Sequence, residues 1–185
     1  MRESAECAMA SRHLPRRLAG ARVRRYLLAV LLTVPFLAGC GEDAPQLQNG
    51  APAPAFALPR LDGPALAFPT DLRGQVVAVR FWADWCPFCE SEMKDIEPVY
   101  RAYRDRGLAV LAVNVRQDAE TAARFIERLG VSYVVLLDQD GSVARRFGVI
   151  GLPSTFFIDR EGRLATRVLG ESTPEVFASI VDGLL

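Results

Sequence analysis

Two cysteines three positions apart, Cys86 and Cys89, are the residues of this 185-residue chain best placed to do chemistry. The chain has four cysteines, but Cys7 precedes an apolar N-terminal run and Cys40 closes it, so the region beyond keeps only Cys86 and Cys89. Within one chain each can partner only the other. Cys-x-x-Cys spacing serves a reversible disulfide, part of a metal site or a structural bridge. A closed zinc site takes four ligands, whereas the region after Cys40 offers two thiols and no histidine, the single His13 lying upstream. A bridge over two intervening residues constrains little of the unfolded chain. Redox use is therefore favoured: one thiolate attacks a disulfide and its neighbour resolves the mixed disulfide. Copper(I), which prefers soft thiolates, is the rival binding chemistry. The lack of histidine argues against copper chaperones that combine CxxxC with a histidine.

The surrounding elements set which sulfur reacts. Gln75–Ala83 (QVVAVRFWA) is too continuously apolar for a strand with a wet face and is expected at the centre of a sheet. After Cys86 a helical stripe runs through Cys89, Met93, Ile96, Tyr100 and Tyr103, Gly107 stops it, and Pro98 is expected to kink it. A thiol where strand gives way to helix meets free N–H groups and the positive end of the helix dipole, which favour the thiolate. Cys86 is the expected nucleophile, and Cys89, one turn on and shielded, the resolving thiol.

The rest of the chain alternates. Phe56–Leu61 and Ala65–Phe68 read as short strands and Leu108–Val115 as a buried one. Asp118 caps a helix to about Leu129, followed by a strand at Tyr133–Leu137 and a short helix at Ser142–Phe147. Ser154–Asp159 and Arg163–Leu169 form a hairpin, and Ser172 or Thr173 opens the last helix. This order predicts an α/β fold, a central mixed β-sheet flanked by helices on both faces.

Residues 1–39 carry seven Arg against two Glu, which leaves 15 basic and 20 acidic residues from Cys40 on, a net of −5. Nucleic acid is a poor partner for such a domain. Arginines precede the apolar run Tyr26–Ala38, too short to span a bilayer but suited to a signal peptide, with Met9 an equally good start. Arg24-Arg25 weakly resembles a twin-arginine signal, and ordinary secretion is preferred. Leu37-Ala38-Gly39-Cys40 resembles a bacterial lipobox, which implies lipidation of Cys40 and attachment to the lipid bilayer. The expected organisation is a signal peptide at 1–39, a lipidated Cys40 with a Pro- and Gly-rich tether at 40–55, and a folded domain at 56–185.

Phe81-Trp82-Ala83-Asp84-Trp85-Cys86-Pro87-Phe88-Cys89 resembles the thioredoxin-fold active-site segment FWAxWCxxC, and Gly151–Asp159 is similar to the stretch carrying that fold's cis-proline. With Glu92-Met93, the helix after Asp118 and the lipoprotein-like start, the chain is similar to the TlpA/ResA-like branch of envelope thioredoxins. The resemblance implies a thioredoxin-like fold with Pro153 cis and facing the dithiol, and a Leu152 backbone able to pair with an extended substrate. Trp85, Pro87 and Phe88 would form an apolar docking rim, Trp82 would belong to the core, and Glu92 would tune proton traffic at the thiols. The implied activity is thiol–disulfide exchange in the periplasm-facing envelope, reducing disulfide-containing proteins such as apocytochrome c. A membrane electron donor of the CcdA/DsbD type would restore the dithiol, with no organic cofactor and no metal. An oxidant of protein disulfides shares the motif. A peroxidase would need Pro-x-x-x-Thr-x-x-Cys, which neither cysteine has. The sequence departs from the family at Arg80, where the branch more often has Asn and thioredoxin a buried Asp; turned toward the dithiol, Arg80 would pair with Glu92 or stabilise a thiolate, while an outward orientation is preferred.

Overall fold

A computed structural model describes residues 47–185. Among the described residues there are seven strands: β1 Phe56–Leu58, β2 Leu66–Phe68, β3 Val76–Trp82, β4 Leu108–Val115, β5 Val134–Asp138, β6 Ser154–Ile158 and β7 Leu164–Leu169. Four α-helices accompany them among the described residues: α1 Cys89–Tyr103, α2 Ala119–Leu129, α3 Ser142–Arg146 and α4 Pro174–Asp182. The main sheet runs β5-β4-β3-β6-β7, and β1 and β2 form a separate antiparallel pair. Strands β3, β4 and β5 are parallel, while β6 is antiparallel to β3 and β7 to β6. The expected mixed sheet is observed, with β3 at its centre and every residue of β3 buried.

One face of the sheet is covered by α1, α2 and α4, whose Met93, Ile96, Phe125 and Phe177 pack with Val76, Ala78 and Trp82. The other carries the five-residue α3 and the β1–β2 pair, packed on Val77, Val79 and Phe81. Trp82 belongs to the core as expected and stacks on Phe125 at 4.8 Å between ring centroids. Helix α1 runs through Pro98 without interruption. Asp118 caps α2 by accepting from the Thr121 N–H. Thr173, not Ser172, caps α4, because the Ser172 side chain is turned toward α1.

The tether expected at 40–55 is shorter at its C-terminal end. The Gly50 N–H donates to Leu164 O at 2.7 Å, Leu164 N–H to Ala51 O at 2.9 Å, and Ala53 N–H to Gly162 O at 2.9 Å. Residues 50–53 thus line the outer edge of β7, and further along the chain Leu61 N–H donates to Val135 O on β5. The segment between them crosses the sheet from the start of β7 to β5 and pairs with part of each edge strand, which shortens the open edges. These bonds involve backbone groups alone, so apolar periodicity gave no sign of them. The proposed leader and Cys40 lie outside the described residues.

Candidate active site

The two cysteines are joined in a disulfide, with Cα atoms 5.4 Å apart. Strand β3 ends at Trp82 and α1 begins only at Cys89, so Cys86 lies in the connecting turn. The Cys86 N–H donates to Ala83 O at 3.2 Å, and the Cys89 N–H to Cys86 O at 3.1 Å. Cys89 is therefore the first residue of the helix and Cys86 is bonded to it from outside, at the positive end of the dipole. The expected contrast in shielding is small in this oxidised state: Cys86 is 2% and Cys89 0% exposed. What differs is the setting. Asp84, Trp85, Pro87 and Phe88 around Cys86 are all exposed, whereas Cys89 is enclosed by the core of α1.

The Leu152–Pro153 peptide bond is cis. Strand register pairs Phe81 with Ser154, which brings Pro153 level with the end of β3 from which the disulfide turn departs. The Pro153 carbonyl accepts from Gly170 N–H at 2.8 Å. Leu152 packs against the core cluster that contains both cysteines, and among the described residues its own N–H and C=O have no hydrogen-bond partner. An unpaired backbone unit beside a reactive disulfide can accept an added strand.

The large apolar side chains exposed among the described residues are Trp85, Phe88, Ile150, Leu169 and Val176. Topology puts all five at the disulfide end of the sheet. Trp85 and Phe88 flank the cysteines, Ile150 precedes the cis bond, Leu169 ends β7 and Val176 lies in the first turn of α4. Exposed large apolar side chains are thus concentrated at one end of an otherwise well-covered domain.

Beneath the disulfide, Arg80 takes the inward alternative, paired with Glu92, and the preferred outward orientation is overturned. Arg80 is fully buried, and its Nη1 donates to Glu92 Oε1 at 2.6 Å and to Thr155 Oγ1 at 3.2 Å. Residues of even number on β3 face α1 together with Ala78 and Trp82, so Arg80 has no route outward. Glu92 is buried too and accepts from the Ser172 N–H at 3.1 Å and the Ser172 hydroxyl at 2.8 Å. The chain Thr155–Arg80–Glu92–Ser172 ties the strand behind the cis-proline, β3, the helix behind Cys89 and the loop before α4. Nearby Tyr133 donates to Met93 O at 2.9 Å. Burial pushes its hydroxyl pKa well up, with the Arg80 charge pulling the other way. One turn further along α1, Glu97 accepts from the Ser132 N–H at 2.9 Å and hydroxyl at 2.6 Å. Sequence reasoning missed Thr155, Ser172 and Ser132 because each acts through a tertiary contact.

Among the described residues no three His, Cys, Asp or Glu side chains lie close enough to hold one metal ion. A cysteine pair ahead of a helix, beside a cis-proline at the end of a central strand, defines a thioredoxin-fold redox protein.

Residues 49–167 match the AhpC/TSA family, and the chain belongs to it. It is 36% identical over 126 residues to the thiol-disulfide oxidoreductase ResA of Geobacillus thermodenitrificans, covering 68% of this chain and 72% of that protein. A Chlorobium tepidum chain assigned as thiol:disulfide interchange protein DsbE superposes with a TM-score of 0.70 at 30% identity, over 75% of this chain and 99% of that one. DsbF of Mycobacterium tuberculosis, solved in mixed oxidised and reduced forms, gives 0.65 at 27% identity, over 70% and 95%. Within the family, the protein is a ResA-like thiol-disulfide oxidoreductase.

Proposed function

We propose that the Cys86–Cys89 couple reduces disulfides in proteins of the bacterial cell envelope, with Cys86 as the attacking sulfur. The Cys86 thiolate forms a bond to one sulfur of the target disulfide, and the other target sulfur leaves as a thiolate. Cys89, having lost its proton, then attacks the Cys86 sulfur, displaces the second target thiolate and closes the disulfide; two electrons pass to the target, whose thiolates take up two protons. The observation that carries this reading is the disulfide set between exposed Trp85 and Phe88 and beside the cis Leu152–Pro153 bond.

Trp85, Pro87, Phe88, Leu152 and Pro153 dock the target, and Glu92 modulates the thiols from below. Cys40 carries the lipid that holds the domain at a membrane; no helix of the described residues is long and apolar enough to cross one. The two sulfurs carry the electrons themselves, so no organic cofactor or metal is needed. A membrane donor of the CcdA/DsbD type supplies electrons, and apocytochrome c thiols are among the targets. The family relation and the lipobox-like LAGC support this setting.

The direction of exchange is tested by equilibrating the purified domain with glutathione. CxxC proteins of this fold span about −270 to −120 mV. A reductant should lie in the lower part of that range, and a value above about −150 mV would contradict the assignment.

A further inference from the structure

Beside the disulfide a groove of about 400 Å³ runs from Trp85 and Leu152 past Val149 and Ile150, and Arg116 and Arg145 border it. Both arginines are exposed. Arg116, directly after β4, is the one non-glycine residue with positive φ (59°) among the described residues. Its side chain lies across Gly141, where a Cβ would come within 2.5 Å of Arg116 Nε and 3.0 Å of its Cγ. The glycine thus makes room for the arm. Arg145 is oriented by donating from Nη1 to Asp140 O at 2.9 Å.

The carboxylates nearby are turned elsewhere. Asp138 accepts from the N–H groups of Val143 at 3.1 Å and Ala144 at 2.8 Å, and Asp140 from the Ser142 N–H at 2.8 Å. Asp84 is bonded to Gln117. Among the described residues neither Arg116 nor Arg145 has a carboxylate within ion-pair distance. In a chain that is net −5 from Cys40 onward, an apolar groove leading to the disulfide is bordered by two cations that make no ion pair among the described residues, although the Arg145 charge helps hold the Asp140 carboxyl below its ordinary range.

We propose that this groove selects among target proteins. It takes an extended segment that carries an apolar side chain against Trp85 and Leu152 and an Asp or Glu within about four residues of the target cysteine, held by Arg116 and Arg145. An extended chain advances about 3.3 Å per residue, so four residues reach about 13 Å from the exchange point. The inference rests on the disulfide-reductase reading above and narrows its substrates to apolar segments with a nearby carboxylate.

The test uses pre-reduced protein in single turnover with cystine-linked peptides that differ only in Glu or Gln near the cysteine. Each rate is divided by that of the same peptide with dithiothreitol, which removes differences in intrinsic disulfide reactivity. The Glu peptide should react about 5-fold faster than the Gln peptide at low salt, and screening should shrink that advantage as salt rises. In the Arg116→Gln/Arg145→Gln double variant the ratio should fall to about 1. Equal normalised rates in the wild type, a salt-independent preference, or a preference surviving in the variant would overturn the selection while leaving the reductase reading intact. Reduction of neither peptide would overturn both.

Discussion

On one face of the main sheet Phe56, Phe81, Phe147 and Phe156 meet edge-on or tilted at 5.2–6.0 Å. On the other, buried Arg80, Glu92 and Thr155 and half-buried Ser172 form a polar chain between strand, helix and the loop before α4. The aromatic face holds the fold by burying area, a non-directional interaction that tolerates small rearrangements. The face under α1 buries apolar area as well, through Trp82, Phe125 and Phe177, but the polar chain set within it is directional. Its hydrogen bonds join α1, β6 and the loop before α4 in one arrangement, with Arg80 Nε and Nη2 and Glu92 Oε2 left without partners among the described residues, and losing Arg80 or Glu92 leaves the other buried without its counter-charge. The disulfide and the cis-proline sit on the elements that this chain ties together. Buried ion pairs are weak evidence for stability, so we read this one as fixing the position of the Cys89 helix relative to Pro153.

Breaking the polar face should have the largest effect. Arg80→Met leaves Glu92 buried without its cation and should cost about 3–5 kcal/mol in urea unfolding, while Arg80→Met with Glu92→Leu should recover most of it. A single substitution costing under about 1 kcal/mol would remove the contrast between the faces.

Glu97 sharpens the comparison with pH. Its burial raises the carboxyl pKa, but the Ser132 hydrogen bonds and Arg101 outweigh this and hold it below the ordinary 4.5. The stabilisation is present above that ordinary value and is lost as pH falls through the lower folded-state value. Glu97→Gln should therefore lower stability by about 1–2 kcal/mol at pH 7, and the gap from wild type should close in acid through that window. A gap independent of pH would contradict the assignment.

The smallest effect belongs to the aromatic face. Leu136→Met, a volume-conserving change in that core, should cost less than about 1.5 kcal/mol and leave the glutathione equilibrium unchanged. A shifted equilibrium would show that the two faces are not separable.

Much of this was legible in the sequence. The continuous apolar run of β3 announced a strand buried on both faces, Cys86 and Cys89 announced exchange chemistry, and the resemblance of Gly151–Asp159 to the thioredoxin-fold segment implied the cis bond at Pro153. The same apolar run hid the orientation of Arg80. A strand without a wet face has no polar alternation to show which way a charged side chain turns, and outward was the cheaper assumption. The sign that pointed inward was the acidic Glu92 one turn after Cys89, a partner for a cation turned toward α1. The pairing of residues 50–53 with β7 rests on backbone groups in a Pro-rich stretch and leaves no periodic trace. The left-handed Arg116 over Gly141 depends on two loops distant in sequence, so no local pattern encodes it.

The central claim, that Cys86 begins the exchange and Cys89 completes it, is tested most directly by trapping. Purified Cys89→Ser protein mixed with a disulfide-bearing protein should accumulate a covalent complex through Cys86 that dithiothreitol releases, whereas Cys86→Ser protein should form almost none. Equal trapping by both variants, or complexes formed through Cys89 alone, would contradict the account.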